Sequence, residues 1–182
     1  MPAKPPPLPE AVYQRVMRVA RVEGYSILII AGMGAFMSAG AGSVIPAIAA
    51  CLVAGAGAME IHGSQQLARG DETAVNWLVR AQLLLMAIIL AYSIWQLTHF
   101  DESFVRAQLP EFRRQMADIS QKWNFDNPYP YFSDEQLVSM TRLIHSLTYC
   151  AVGVVTCVYQ GLMARYYHKR RTAIAQALAD NG

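Results

Sequence analysis

Three stretches without a single charge decide what this chain can become. No Asp, Glu, Lys or Arg occurs from Gly24 to Met59, from Ala81 to Thr98, or from Leu143 to Ala164. Apolar runs of about 18 residues or more without charge read as membrane spans, because lipid is the solvent that accepts them on all sides. The composition agrees: 15% of the 182 residues are charged, against about 25% in ordinary soluble domains. The mean hydropathy is +0.22.

The first stretch is too long for one crossing. Its 36 residues would make a helix of about 54 Å, against a hydrocarbon core of about 30 Å. The run Ser38-Ala-Gly-Ala-Gly-Ser43 is the natural turn, and Pro46 suits the first turn of a new helix. The stretch therefore reads as a helical hairpin, with span one near residues 24–40 and span two near 44–60. Span three covers 77–98. Trp77 and Trp95 bracket it about 27 Å apart, the spacing of aromatic anchors at two membrane interfaces. Arg80 can snorkel outward. Span four covers 143–164 and ends in Arg165-Tyr166-Tyr-His-Lys-Arg-Arg171, a basic and aromatic anchor. The expected fold is all-α: a four-helix transmembrane bundle of two hairpins, with an extracytoplasmic, partly helical loop between helices 3 and 4.

Charge sets the expected orientation. Both termini (1–23 and 165–182) and the 61–76 loop share one side in a four-span chain, and that side, with Arg80 at the near end of span three, carries 10 of the 15 Lys and Arg residues. The 99–142 segment carries seven acids. By the positive-inside bias both termini are cytoplasmic. The expected location is the plasma membrane, the inner membrane in a Gram-negative cell. A rival reading makes residues 1–41 a signal peptide cleaved near Ala39-Gly-Ala41; its basic region would be unusually long, and another apolar run follows at once.

Outside the spans, Pro2–Pro9 is Pro-rich and reads as extended; a PxxP-type ligand role is unspecific. In residues 10–23, Val12, Val16, Val19 and Ala20 share one helical face and Arg15, Arg18 and Arg21 the other. This is either a helix lying on an anionic membrane surface or a lead into span one. Asp71 is an expected N-cap for the third helix. In the 99–142 segment, Val105, Leu109, Phe112, Met116, Ile119 and Trp123 form one apolar stripe. It must bury itself against lipid, the bundle or a partner, so Leu109, Phe112, Met116, Ile119 and Trp123 are the candidate interaction surface. Pro110 reads as the first residue of a fresh helix. The aromatic run Asn124–Phe132 reads as irregular. Ser133 with Gln136 reads as a capping box, starting the fourth long helix near Asp134 and carrying it to about Ala179.

Lipid offers no hydrophobic drive between helices, so small residues must allow close packing. The candidates are Gly34 and Ser38 in span one, Ala50, Ala54 and Ala58 in span two, and Cys150, Gly153 and Cys157 in span four. Span three lacks such residues and is expected to face lipid more.

Polar groups at membrane depth are expensive and therefore suspect. Glu60, with His62 two residues on, is a candidate proton or cation site. The plainer reading pairs Glu60 with Arg69 or Arg80 at headgroup level. His99 and His145 flank spans three and four on the same side and could hold a haem iron, although histidine is cheap at an interface. Cys150 and Cys157 are about 10 Å apart along one helix, too far for a disulfide, and no Cys-x-x-Cys is present. No phosphate loop and no Ser/His/Asp set points to catalysis, and no metal cluster is expected. A net charge of +2 is too small for nucleic-acid binding through a basic face. The leading expectation is a non-catalytic accessory or assembly subunit, with the lipid bilayer and other membrane proteins or further copies of itself as partners, and no cofactor. The alternatives are a small oligomeric channel or transporter, and a haem-binding electron carrier.

Overall fold

A computed structural model describes residues 8–124 and 132–180. Among them every regular element is a helix: α1 (Pro9–Gly40), α2 (Val44–Ala68), α3 (Ala74–Thr98), α4 (Glu102–Trp123) and α5 (Asp134–Asp180). Helices α1, α2, α3 and α5 are long and apolar enough to cross a membrane.

Local chemistry explains most of the ends. Pro9 opens α1, where its missing N–H costs nothing. The helix then runs unbroken through Glu23 and Gly24, so residues 10–23 form a lead into the apolar stretch rather than a separate helix. The turn falls where the sequence places it. Gly42 adopts φ +71°, a left-handed conformation that favours glycine, and Ser43 N–H donates to Ser38 C=O at 2.9 Å. Asp71 does not cap α3 directly. Its carboxylate accepts from the N–H and hydroxyl of Thr73 at 2.8 and 2.7 Å, an Asx-type turn that sets up the helix start at Ala74.

The capping box before α5 forms as expected. Ser133 N–H donates to Gln136 Oε1 at 2.9 Å, and Gln136 N–H donates back to Ser133 Oγ at 3.3 Å. From there α5 runs 47 residues, about 70 Å.

Pro110 departs from the expectation. It sits inside α4 instead of starting a new helix. The ring removes one backbone bond, but the turns of α4 that precede it are tied down. Asp101 caps the N-terminus by accepting from Phe104 N–H at 3.0 Å. Leu109 is buried beside Leu137 and Val138.

The chain forms two compact units, one of residues up to Tyr92 with those from Val154 onward, the other Ser93–Gly153. In the first, Val16, Ala20, Leu67, Ala74, Leu78, Tyr167 and Ile174 make a buried core. These residues all lie outside the charge-free stretches; burying a large apolar side chain from water contributes about 1.5–3 kcal/mol. Within those stretches many of the large side chains face outward: Ile30, Phe36 and Val154 are 71%, 83% and 64% exposed. That is the surface lipid requires.

Close helix contact there rests on glycine. A Cβ on Gly57 would lie 2.9 Å from Gly24 O and 2.9 Å from Leu28 N, so α1 and α2 touch backbone to backbone. A Cβ on Gly63 would lie 2.9 Å from Leu78 Cδ2 of α3. This reverses the expectation for span three. Of the four long helices α3 has the most buried apolar window, 33%, against 6% for α1. Leu78 fits the gap that Gly63 leaves on α2, so the small residue sits on the partner helix rather than on α3 itself.

The second unit has a smaller core of Leu109, Leu137 and Val138, with Phe100, Val105 and Phe132 packed around it. Ion pairs bind α4 to the start of α5: Arg142 to Glu102 at 2.7 Å and Arg113 to Asp134 at 2.9 Å.

Candidate functional site

Glu60 lies on the buried face of α2, one helical turn from Gly57 and from Ser64. It is 1% exposed, and its partners are not the arginines expected of it. Arg69 and Arg80 are both exposed, and the carboxyl group instead meets three other helices. Gln82 of α3 donates an amide N–H to Glu60 Oε1 at 2.9 Å. Tyr167 of α5 donates its hydroxyl to the same oxygen at 2.7 Å. The Tyr167 oxygen also lies 3.5 Å from Oε2 of Glu23 on α1. Glu23 and Glu60 thus flank one phenol oxygen, and Tyr159 lines the same cavity as Glu23.

Each member is placed by the periodicity of its own helix. Glu23 follows Ala20 by three residues on the face that buries Val12, Val16 and Ala20. Gln82 follows the buried Leu78 by four, and Tyr167 precedes the buried Ile174 by seven. The site is therefore a polar layer at the end of an apolar core, with at least one group from each of α1, α2, α3 and α5.

The layer is rich in acceptors. Oε1 of Glu23, Oε1 of Gln82 and Oε1 of Gln160 are buried without a hydrogen-bond partner. Two carboxyl groups around one phenol repel each other when both are charged, so a bound proton or cation relieves them. Glu23 also lines an open-sided cavity of about 520 Å³ together with Arg18, Tyr159, Gln160 and the apolar Val19, Val22 and Met163.

The other sequence candidates are placed differently. His62 is exposed and apart from the Glu60 layer. It accepts from or donates to Gln66 at 2.9 Å and meets the edge of Trp77. His99 stacks on Trp95 at 4.6 Å, and its Nδ1 lies 3.0 Å from Trp95 O. His145 bonds Gln96 O through Nε2 at 2.9 Å and packs against Phe100 and Tyr149. Each ring is thus engaged by residues other than its proposed haem partner. Among the described residues, no three His, Cys, Asp or Glu side chains converge as a metal site would require.

Of the packing candidates, Gly34 faces Ala50, with 3.9 Å to its Cβ. Ser38 and Ala54 are half-buried and Ala58 is exposed. Cys150 and Cys157 are exposed free thiols and Gly153 is half-buried; nearby on α5 the buried positions are Thr156 and Gln160. Arg165 is exposed, and Tyr166 carries Arg170 stacked 3.7 Å over its ring. On α4, Leu109 is buried and Met116 half-buried, while Phe112, Ile119 and Trp123 are 37%, 43% and 72% exposed.

Sequence reasoning singled out Glu60 but not its partners. Glu23 was detectable, since it extends the Val12–Val16–Ala20 stripe with a charge. Gln82 and Tyr167 carry no such signal, because a lone amide or phenol on an amphipathic helix is commonplace.

The architecture defines an all-α chain with four helices able to span a membrane. No known family, no curated protein and no solved structure matches it.

Proposed function

We propose that this chain is a small membrane transporter or channel that binds and releases a proton, or a small cation, at the Glu23–Glu60 pair. The reading takes the four long helices as a bundle in the plasma membrane with both termini cytoplasmic. The observation that carries it is Glu60, 1% exposed, sharing a buried layer with a second carboxyl group. Ionisable groups in such places are costly and mark ion or proton pathways. The cavity at Glu23 gives the pair an approach from one side.

The test is flux into liposomes containing the purified chain, followed with a trapped pH-sensitive dye. The wild type should carry protons faster than empty liposomes, and Glu60→Gln should lower the rate at least about tenfold. Wild-type rates equal to those of empty liposomes refute the proposal. So does undiminished flux in Glu60→Gln.

A second reading, an accessory subunit acting through protein contacts, is favoured by the exposed Phe112, Ile119 and Trp123 on α4. It requires a defined oligomer or a co-purifying membrane protein in mild detergent, lost in Trp123→Ala. An absorption spectrum of the purified protein tests the haem alternative.

A further inference from the structure

Tyr167 stands between the two acids of the polar layer, and a count of donors shows which acid must supply a hydrogen. Its ring is fully buried in the core of the first unit with Val16, Leu67 and Ile174, so packing fixes where its oxygen lies. A phenol has one hydrogen to give and can also accept one. The 2.7 Å contact with Glu60 Oε1 uses that hydrogen. Gln82 gives the same oxygen another, at 2.9 Å. An oxygen with two donors on it is bonded as an ionised carboxylate is, by accepting alone. Glu23 is left the opposite part. Its Oε1 has no hydrogen-bond partner, and its Oε2 lies 3.5 Å from the Tyr167 oxygen, whose hydrogen is already committed. That contact becomes a hydrogen bond when Glu23 supplies the hydrogen, which only its protonated form can do.

We infer that Tyr167 relays protons from Glu23 to Glu60, so that the pair exchanges protons rather than metal cations. The inference rests on the reading of this pair as a transport site and names what it carries. In the step, the Glu23 O–H bond breaks and its proton joins the Tyr167 oxygen. At the same time the Tyr167 O–H bond breaks and its proton joins Glu60 Oε1. Glu60 is left neutral, Glu23 ionised and the phenol as it began, so the total charge is unchanged. The Glu60 leg is already at hydrogen-bonding distance. The Glu23 leg must close from 3.5 Å to about 2.7 Å. Glu23 is half-buried and borders an open-sided cavity, which leaves its carboxyl group room to swing, whereas Glu60 is enclosed. A metal ion is disfavoured at the same place, because the two donors on Glu60 Oε1 occupy the lone pairs it would need.

Flux into liposomes containing the full chain tests it, with trapped dyes for protons and, in parallel, for sodium and potassium. The wild type should carry protons and neither metal ion. Tyr167→Phe keeps the buried ring and loses the hydroxyl, and should lower proton flux at least about tenfold, as expected when a positioned proton-transfer group is removed. Gln82→Leu takes a hydrogen bond from the same Glu60 oxygen but no link from the relay, and should lose far less. Undiminished flux in Tyr167→Phe overturns the relay and leaves the pair as a transport site. Equal losses in Tyr167→Phe and Gln82→Leu also overturn it, since a merely structural hydroxyl would behave that way. Sodium or potassium flux through the wild type overturns the choice of protons. Wild-type proton flux equal to that of empty liposomes removes the relay and the transport reading together. If Tyr167→Phe does not fold, Glu23→Gln, which has no proton to start the relay, should be as slow, and full flux in that variant overturns the inference.

Discussion

Adding one methyl group at Gly57 should damage the fold, while adding one at Gly55, two residues away, should not. The comparison removes helix propensity from the question, because each Gly→Ala change gains about 1 kcal/mol in a helix interior. At Gly55 the new Cβ meets nothing within 4 Å. At Gly57 it would lie 2.9 Å from Gly24 O and 2.9 Å from Leu28 N. Both are backbone atoms, which cannot swing aside as a side-chain tip can. Helices α1 and α2 would have to separate by several tenths of an ångström along their seam. Overpacking of this kind costs about 1–3 kcal/mol. At about 2–4 °C per kcal/mol for a chain of this size, Gly57→Ala should melt roughly 2–12 °C below Gly55→Ala. Thermal melting in mild detergent, followed by circular dichroism, measures the gap. If the two variants melt together, the backbone contact between α1 and α2 is not part of the folded protein.

Three further outcomes follow. Glu60→Ala strands the Tyr167 hydroxyl and the Gln82 amide, at about 1–3 kcal/mol each, so it should melt well below Glu60→Gln, which keeps an acceptor in place. Leu109→Ala should cost about 2–5 kcal/mol in the same assay, whereas Trp123→Ala should stay within about 0.5 kcal/mol of wild type, because Trp123 is 72% exposed. Arg106 beside Glu102 holds that carboxyl below its usual value of 4.5. The folded protein therefore prefers the charged form, and the stabilisation is present above pH 4.5 and lost as pH falls through the lowered value. Melting temperatures from pH 7 down to 3 should show a drop at the acid end that is smaller in Glu102→Gln.

Much of the architecture was legible because it rests on local chemistry. Charge-free length gave the four long helices, Gly42 gave the first turn, and Ser133 with Gln136 gave the start of α5. Pro110 misled because a proline's local preference was weighed without the Asp101 cap and the Leu109 contact that hold α4 together. The burial of α3 was misread for a related reason: the glycine that admits Leu78 belongs to α2, and which helix faces Gly63 is not written in either segment. The carboxyl layer was only half legible. Glu60 stands out in an apolar run, but Glu23 ends the basic lead-in and looks like one more surface charge until α1 and α2 are laid together.

That contact also determines more than stability. Gly24 immediately follows Glu23 in the chain, and Gly57 precedes Glu60 by three residues. The spot where the two main chains meet is thus the joint that sets the spacing of the two acids. A substitution that pries the helices apart there would loosen the scaffold and pull the acids out of reach of the shared phenol at once. Fold and chemistry would fail through the same few atoms, and neither glycine could be exchanged for a bulkier residue without retuning both.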